Sequence, residues 1–476
     1  MYRSIKTKRN REIEVRHIMA KNRTQLLLHE PNLYKAFAIL ALPIFAANFM
    51  RAFNDLIDTY FIGQIPDSVA AQAGISSAWP PLNILLSFQM GFAVAGVAVI
   101  SQLLGAGKEK QARDNAGMLL LIAVIMGAVV NVVLYLIAPW AMTIMGMEGA
   151  AHACAVDYLR IRSFEMISLF IFGAFQATRQ AQGDTATPVY LSMITIVINA
   201  VLTGVFVRVF HMSAFGAGLA TMIGQVAVAP ICLYLLFSKK QSFHLTRENL
   251  RFRKAEMRRL VSIAMPSAGS QALSSLGFMV LQMVVISYGD TVTAAFSIGN
   301  KVSNMLLMPI FALGSVLAAY VGQNIGAGNG ERARKACRVS RNIGLAISIV
   351  GSLALMPVRG WCVALLSNDP PTQALGTVYV FWTLLTQPLM ALFQNYLGIF
   401  NGSGNTRYGL VMTTARLWII RLPLILAFKI FTNIGANGIW YAMVISNFLI
   451  LFVGAWLYRK VNFTPYAGLA DEEGGT

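Results

Sequence analysis

Acidic residues are scarce: 20 Asp and Glu stand against 38 Lys and Arg in 476 residues, and charged residues of both signs make up only 12%. A water-soluble domain carries roughly twice that share, so a soluble globular protein is excluded. Histidine is scarcer still. His17, His29, His152, His211 and His244 all fall outside the deep apolar segments, which argues against a histidine proton relay. The four cysteines, Cys154, Cys232, Cys337 and Cys362, form no C-x-x-C pair, so no metal site of that kind is expected. A disulfide between Cys154 and Cys362 is the one pairing left open. No H-E-x-x-H, G-x-S-x-G or Walker A sequence occurs, so the chain is read as not an enzyme, with no cofactor and no ATP-driven step. Residues 1–32 are long, polar and basic, without the short apolar core of a signal peptide.

What the chain has is hydrocarbon. It is 56% hydrophobic, with a mean hydropathy of +0.61. Its apolar runs of roughly 20 to 30 residues are long enough to cross ~30 Å of bilayer. Strands of a β-barrel would be ~10 residues with alternating pattern, so the fold class is all-α and polytopic. Twelve transmembrane segments are expected, from Leu33–Gly63 to Gly435–Tyr458, with Val156–Gln182 as the fourth. Lys and Arg cluster in residues 1–32, in the 104–113 turn, in 238–259 and in 327–341, and are rare in the alternate loops. Both termini are therefore expected in the cytoplasm, in a multi-pass protein of the plasma membrane. The formal net charge of +18 follows from that rule, and no nucleic-acid partner is expected. A monomer bathed in lipid is.

The chain repeats itself. "QLLGAGKEKQAR" at 102–113 returns as "QNIGAGNGERAR" at 323–334, "GDT" at 183–185 as "GNT" at 404–406, and Pro43 as Pro266. Two homologous six-span bundles are implied. Because six is even, both insert the same way round, as in parallel-repeat transporters. The organisation expected is a basic cytoplasmic arm (1–32), a first lobe (33–237), a basic linker (238–256), a second lobe (257–458) and a tail (459–476). Two such lobes leave a central cleft, and rocking them gives alternating access.

Order and spacing of these motifs resemble the multidrug and toxic compound extrusion (MATE) family from Leu33 to Tyr458. The resemblance is carried by Pro43 with "DTYFIG" at 58–63, the two "Q-x-x-GAG" turns, "QGDT", "GSGNT", "NAVL" at 199–202 with "GAGLAT" at 216–221, and "RLWIIRLP" at 416–423. It implies cation-coupled export of small organic compounds. It also implies a coupling site of a first-span Asp, an Asn and a second Asp in span 5, and a Thr in span 6. Asp58, Asn199 and Thr221 match those positions. The second acid is replaced by Thr203, a departure that removes a negative ligand and favours H⁺ over Na⁺.

Read on its own residues, the first span is unusual. Arg51, Asn54, Asp55 and Asp58 share one broad helical face. Arg51 and Asp55 are spaced as an i, i+4 ion pair, which leaves the charge of Asp58 to be explained. An ionisable residue in a span is a functional-site candidate. Asn54 can hydrogen-bond Asp58 in either protonation state, and burial makes its charged form costly enough for a proton to bind at physiological pH. Na⁺ on the oxygens of Asp58, Asn199 and Thr221 is the alternative. The second half has Gln282 opposite Asp58 and no acid at membrane depth, so the coupling site belongs to the first lobe. Arg51, Asp55, Glu165, Gln282, Lys301, Asn304 and Arg416 are candidates for the substrate cleft. Arg162 and Glu165 are spaced to pair, and Arg416 and Arg421 have no acid nearby in sequence. Pro43 is the expected bend in span 1. The function expected is a cation-coupled antiporter exporting small amphipathic compounds. A lipid-linked precursor flippase and a non-transporting membrane sensor are the alternatives.

Overall fold

The computed structural model describes the backbone of residues 27, 28, 30–62, 68–210, 212, 214–367 and 369–464, and the side chains of these except 52–62, 68–74, 76, 150 and 214. Regular structure among them is entirely helical, as hydrocarbon demands of a backbone that must satisfy its own N–H and C=O groups. The first half comprises α1 (Leu33–Ile62), α2 (Ser68–Gly105), α3 (Glu109–Ile144), α4 (Gly149–Ser163), α5 (Met166–Ala181), α6 (Ala186–Arg208) and α7 (Ala214–Phe237). The second comprises α8 (Lys254–Ile286), α9 (Asp290–Gly326), α10 (Gly330–Ala364), α11 (Pro370–Gly402), α12 (Thr406–Thr414), a π-helical turn (Ala415–Arg421), α13 (Leu422–Phe431) and α14 (Asn437–Arg459).

Eleven stretches among the described residues are long and apolar enough to cross a membrane. The fourth expected span is different. It begins earlier, at Gly149, and breaks at Phe164–Glu165 into α4 and α5, neither long enough alone. There the ladder tightens to i→i−3 bonds, from Phe164 N–H to Ile161 O (3.3 Å) and from Glu165 N–H to Arg162 O (3.4 Å), the local pattern of a 3₁₀ turn. The buried Glu165 carboxylate accepts from Arg162 Nε at 2.7 Å across this break. The two pieces together return the chain and complete twelve crossings.

One end of the molecule carries the basic loops, and there the halves interlock. Gln102 Nε2 donates to Gly402 O at 3.2 Å, and Gln323 Nε2 donates to Ala181 O at 2.6 Å. These are the same bond seen from either repeat, because Gln102 and Gln323 open the two "Q-x-x-GAG" turns while Ala181 and Gly402 close α5 and α11. The first glycine of each turn allows the approach: a Cβ at Gly105 would collide with the Gln323 carbonyl, and one at Gly326 with the Gln102 carbonyl. The second ends the helix, with φ of 72° at Gly107 and 70° at Gly328, a conformation glycine adopts without strain.

The opening helix of each repeat also crosses over. Leu33, Ala36, Phe37, Leu40 and Ala41 of α1 pack into the second lobe's core beside Leu313, Val316 and Leu317, and Phe37 stacks on Tyr320 at 5.4 Å. Leu260, Ile263 and Ala264 of α8 in turn join the first lobe's core. The segments that precede these helices follow them across. The Leu27 and Glu30 carbonyls accept from Asn324 (3.1 Å) and Arg332 (2.7 Å). The linker docks on α3, where buried Asp114 accepts from Asn249 Nδ2 at 2.7 Å and pairs with Arg253.

This interlock predicts that Gly105→Ala and Gly326→Ala each cost roughly 1–3 kcal/mol. Gly269→Ala, whose Cβ would meet only the Leu410 side chain at 3.7 Å, is expected to be silent in the same thermal melt. Equal melting of all three would remove the interlock from the account.

Candidate functional site

In the first lobe, antiparallel α6 and α7 bring three of the predicted residues together. Asn199 is 2% exposed, and its Nδ2 donates to Thr221 Oγ1 at 2.9 Å. The Thr221 hydroxyl passes its own proton to Ala217 O at 3.0 Å. Thr203, one turn beyond Asn199, is fully buried, and its hydroxyl has no partner among the described residues. The helices come this close because a Cβ at Gly224 would lie 3.1 Å from Thr195 O. The backbone of Asn54, Asp55 and Asp58 belongs to α1, with Asp58 four residues before its end. The side chains of all three lie outside the described residues.

Nearer the basic end, α1, α5 and α6 line a small, partly open cavity of about 40 Å³ bordered by Asn48, Arg51, Gln176, Gln180, Thr185 and Ser192, among others. Arg51 Nη2 reaches Ser192 Oγ at 3.5 Å. Gln180 Nε2 donates to Ser315 O of α9 at 2.9 Å, so one cavity wall is fastened to the second lobe. Ile44, another lining residue, directly follows Pro43. The helix runs unbroken through that proline from Leu33 to Ile62.

The remaining predicted residues scatter. Glu165 is taken up in its ion pair with Arg162 (2.7 Å), whose Nη1 also donates to Tyr158 Oη at 3.0 Å. It closes the α4–α5 break. Gln282 is half-buried on α8, and Lys301 and Asn304 are exposed on α9. All four cysteines are free thiols, so Cys154 and Cys362 do not pair.

In the second lobe, Arg416 and Arg421 lie on the π-helical turn and are 6% and 2% exposed. Arg421 donates to Ser446 Oγ (2.9 Å) and Asn447 Oδ1 (2.7 Å). Arg416 lies over the Phe393 ring, 4.4 Å from its centroid, and donates to Met390 Sδ at 3.2 Å. Tyr379 donates to Asn300 Oδ1 at 2.6 Å and stacks on Trp440 at 4.2 Å. The neutral acceptors on α14 and the π turn were not foreseen from sequence. The signal in the sequence was two arginines within one span and no acid near them.

Two stability predictions follow from these contacts. Glu165→Ala strands the buried Arg162 charge and is expected to cost about 3–5 kcal/mol. Pairing it with Arg162→Met should restore most of that in chemical denaturation. Asn199→Ala is expected to cost about 0.6–1.7 kcal/mol, since Thr221 keeps its bond to Ala217.

Comparison with known proteins places this geometry. A model of the MatE family matches residues 43–205 and again residues 266–426, one match to each repeat and beginning at Pro43 and Pro266. "Probable multidrug resistance protein YoeA" of Bacillus subtilis is 23% identical over 447 residues, which span 91% of this chain and 96% of that protein. A "FAD transporter" of Shewanella oneidensis is 23% identical over 422 residues, 87% of this chain and 92% of its own. A solved structure described as the outward-facing conformation of a multidrug resistance MATE family transporter of the MOP superfamily superposes with a TM-score of 0.86. It is 20% identical over 92% of this chain and 97% of that one, a likeness of fold. With both repeats matched in register and the same architecture throughout, this chain belongs to the MatE family and is a multi-pass membrane transporter.

Proposed function

We propose that the protein is a secondary active exporter, a monomer in the plasma membrane that moves small amphipathic organic compounds outward in exchange for an inflowing cation. The reading is carried by the reciprocal bonds Gln102–Gly402 and Gln323–Ala181. Two equivalent lobes joined at one end by a pair of matched contacts form a bistable element. The sealed end bears the basic loops, which the positive-inside rule assigns to the cytoplasm along with both termini. Rocking that parts these contacts would open the cleft inward. Relatives named as a multidrug resistance protein and as a FAD transporter support a small organic cargo.

H⁺ is the proposed coupling ion. The Asn199–Thr221–Ala217 chain presents an amide nitrogen and a committed hydroxyl rather than a cage of oxygens. Na⁺ is better served by several oxygen ligands, and replacing the second acid by Thr203 leaves one negative oxygen ligand fewer. A single carboxylate can hold one proton. Protonation of Asp58 removes a charge from α1, and α1 runs from this site into the second lobe's core. That makes it the mechanical link between coupling ion and lobe position.

In proteoliposomes with an imposed pH gradient, Asp58→Asn is expected to abolish gradient-driven ethidium flux while leaving insertion and the melting temperature near wild type. Wild-type flux from that variant would remove Asp58 from the mechanism. Flux driven by Na⁺ alone would replace the ion.

A further inference from the structure

We propose that the second lobe holds an oxyanion site built on Arg416 and Arg421, which takes the phosphate-bearing head of an amphipathic substrate. Its role in transport rests on the export reading above; binding itself does not. The π-helical turn creates the arrangement. In an α-helix, residues five apart are turned about 140° from one another. In π geometry, with its i→i+5 bonds, the angle falls to roughly 50°. Residues 415–421 are π-helical, so Arg416 and Arg421 leave the turn on the same side. Arg416 is ten residues into its membrane stretch, Thr406–Phe431, or about 15 Å deep.

Two buried like charges at that depth call for an anion, and the protein supplies none among the described residues. The second lobe's acids, Asp290, Glu331 and Asp369, together with Glu256 on α8, stand in first turns or at an N-cap. Arg421 has only the neutral oxygens of Ser446 and Asn447. Arg416 has a sulfur and a ring face, and its Nε has no partner among the described residues, although a guanidinium offers five donors in a fork suited to oxyanions. The repeat shows that the charges are not needed for packing: α6, the matching helix of the first lobe, carries no Lys or Arg before Arg208 at its end. Arg416 lies against Phe393 and Met390, so an anion that reaches it enters apolar surroundings and is better carried on an apolar body than free in water.

Thermal unfolding of the full-length protein in neutral detergent tests this, titrated with dodecyl phosphate, inorganic phosphate or dodecyltrimethylammonium. A saturable rise in melting temperature is expected with dodecyl phosphate alone. Arg416→Gln and Arg421→Gln should each raise the half-saturating concentration at least tenfold, and Arg416→Lys should fall between. Inorganic phosphate that matches dodecyl phosphate would make the occupant a free anion and overturn the amphiphile. Equal stabilisation by the cationic detergent, or unchanged binding by both Gln variants, would overturn the site. Should the Gln variants not fold, the three-probe comparison on wild type still decides. Ethidium flux measured on the same preparation separates the two readings. Flux without arginine-dependent binding sinks this site alone, whereas binding without flux sinks the export reading.

Discussion

The reciprocal crossing at the basic end is the constraint on which the remaining structure depends. Gln102 and Gln323 are each wholly or nearly wholly buried, and each spends its amide on a helix-terminal carbonyl of the opposite lobe. The last carbonyls of α5 and α11 have no partner within their own helices, so in hydrocarbon they would be costly to leave open. The repeat satisfies both at once, and only across the lobes. A glycine in each turn is what brings the backbones within reach. Neither lobe can complete its own helix ends, which makes the lobe interface part of each fold.

That arrangement accounts for the crossover of α1 and α8. Each helix begins inside the opposite lobe's core and runs on along its own lobe, so each bridges the interface. In the first lobe α1 passes the cavity at Arg51 and Ser192 and runs on past α6. Its near end is fixed in the second lobe by Phe37, which stacks on Tyr320. The docked linker adds to this. Asp114, Asn249 and Arg253 bind the start of α8 to α3, and the neighbouring Asp114 carboxylate holds the Arg253 guanidinium above its ordinary pKa. The connection between lobes is therefore short and stiff, and relative motion falls on the helices themselves.

Much of this was legible in the residues. Twelve spans, two repeats and the pairing of Arg162 with Glu165 followed from hydropathy, motif recurrence and i, i+3 spacing, all of which are local or periodic signals. The meeting of Asn199 with Thr221 came from family likeness. What stayed hidden was long-range or irregular. The "Q-x-x-GAG" motif was visible as a repeat, but its purpose lies 300 residues away in a carbonyl, and carbonyls leave no sequence signature. The α4–α5 break escaped because Phe164 and Glu165 contain no Gly or Pro to mark it. The π turn escaped because helix propensity does not distinguish i→i+4 from i→i+5 bonding, so only the lack of a nearby acid set Arg416 and Arg421 apart.

The two irregular helices also divide the electrostatic labour. In the broken fourth span the Arg162–Glu165 pair cancels its own charge locally, so that irregularity is neutral and structural. In the eleventh span the irregularity carries two buried arginines, Arg416 and Arg421, on one π turn. A packed lobe does not retain such a feature for stability, because burying uncompensated like charges opposes folding. The acids of the first span and the arginines of the eleventh thus sit in different lobes, on helices whose repeat counterparts carry such charges only in their first or last turns. If the proposed proton site and the proposed anion site both hold, they stand on opposite sides of the lobe interface, and each ligand can favour a different lobe arrangement. Differential affinity for two states is all that coupling requires.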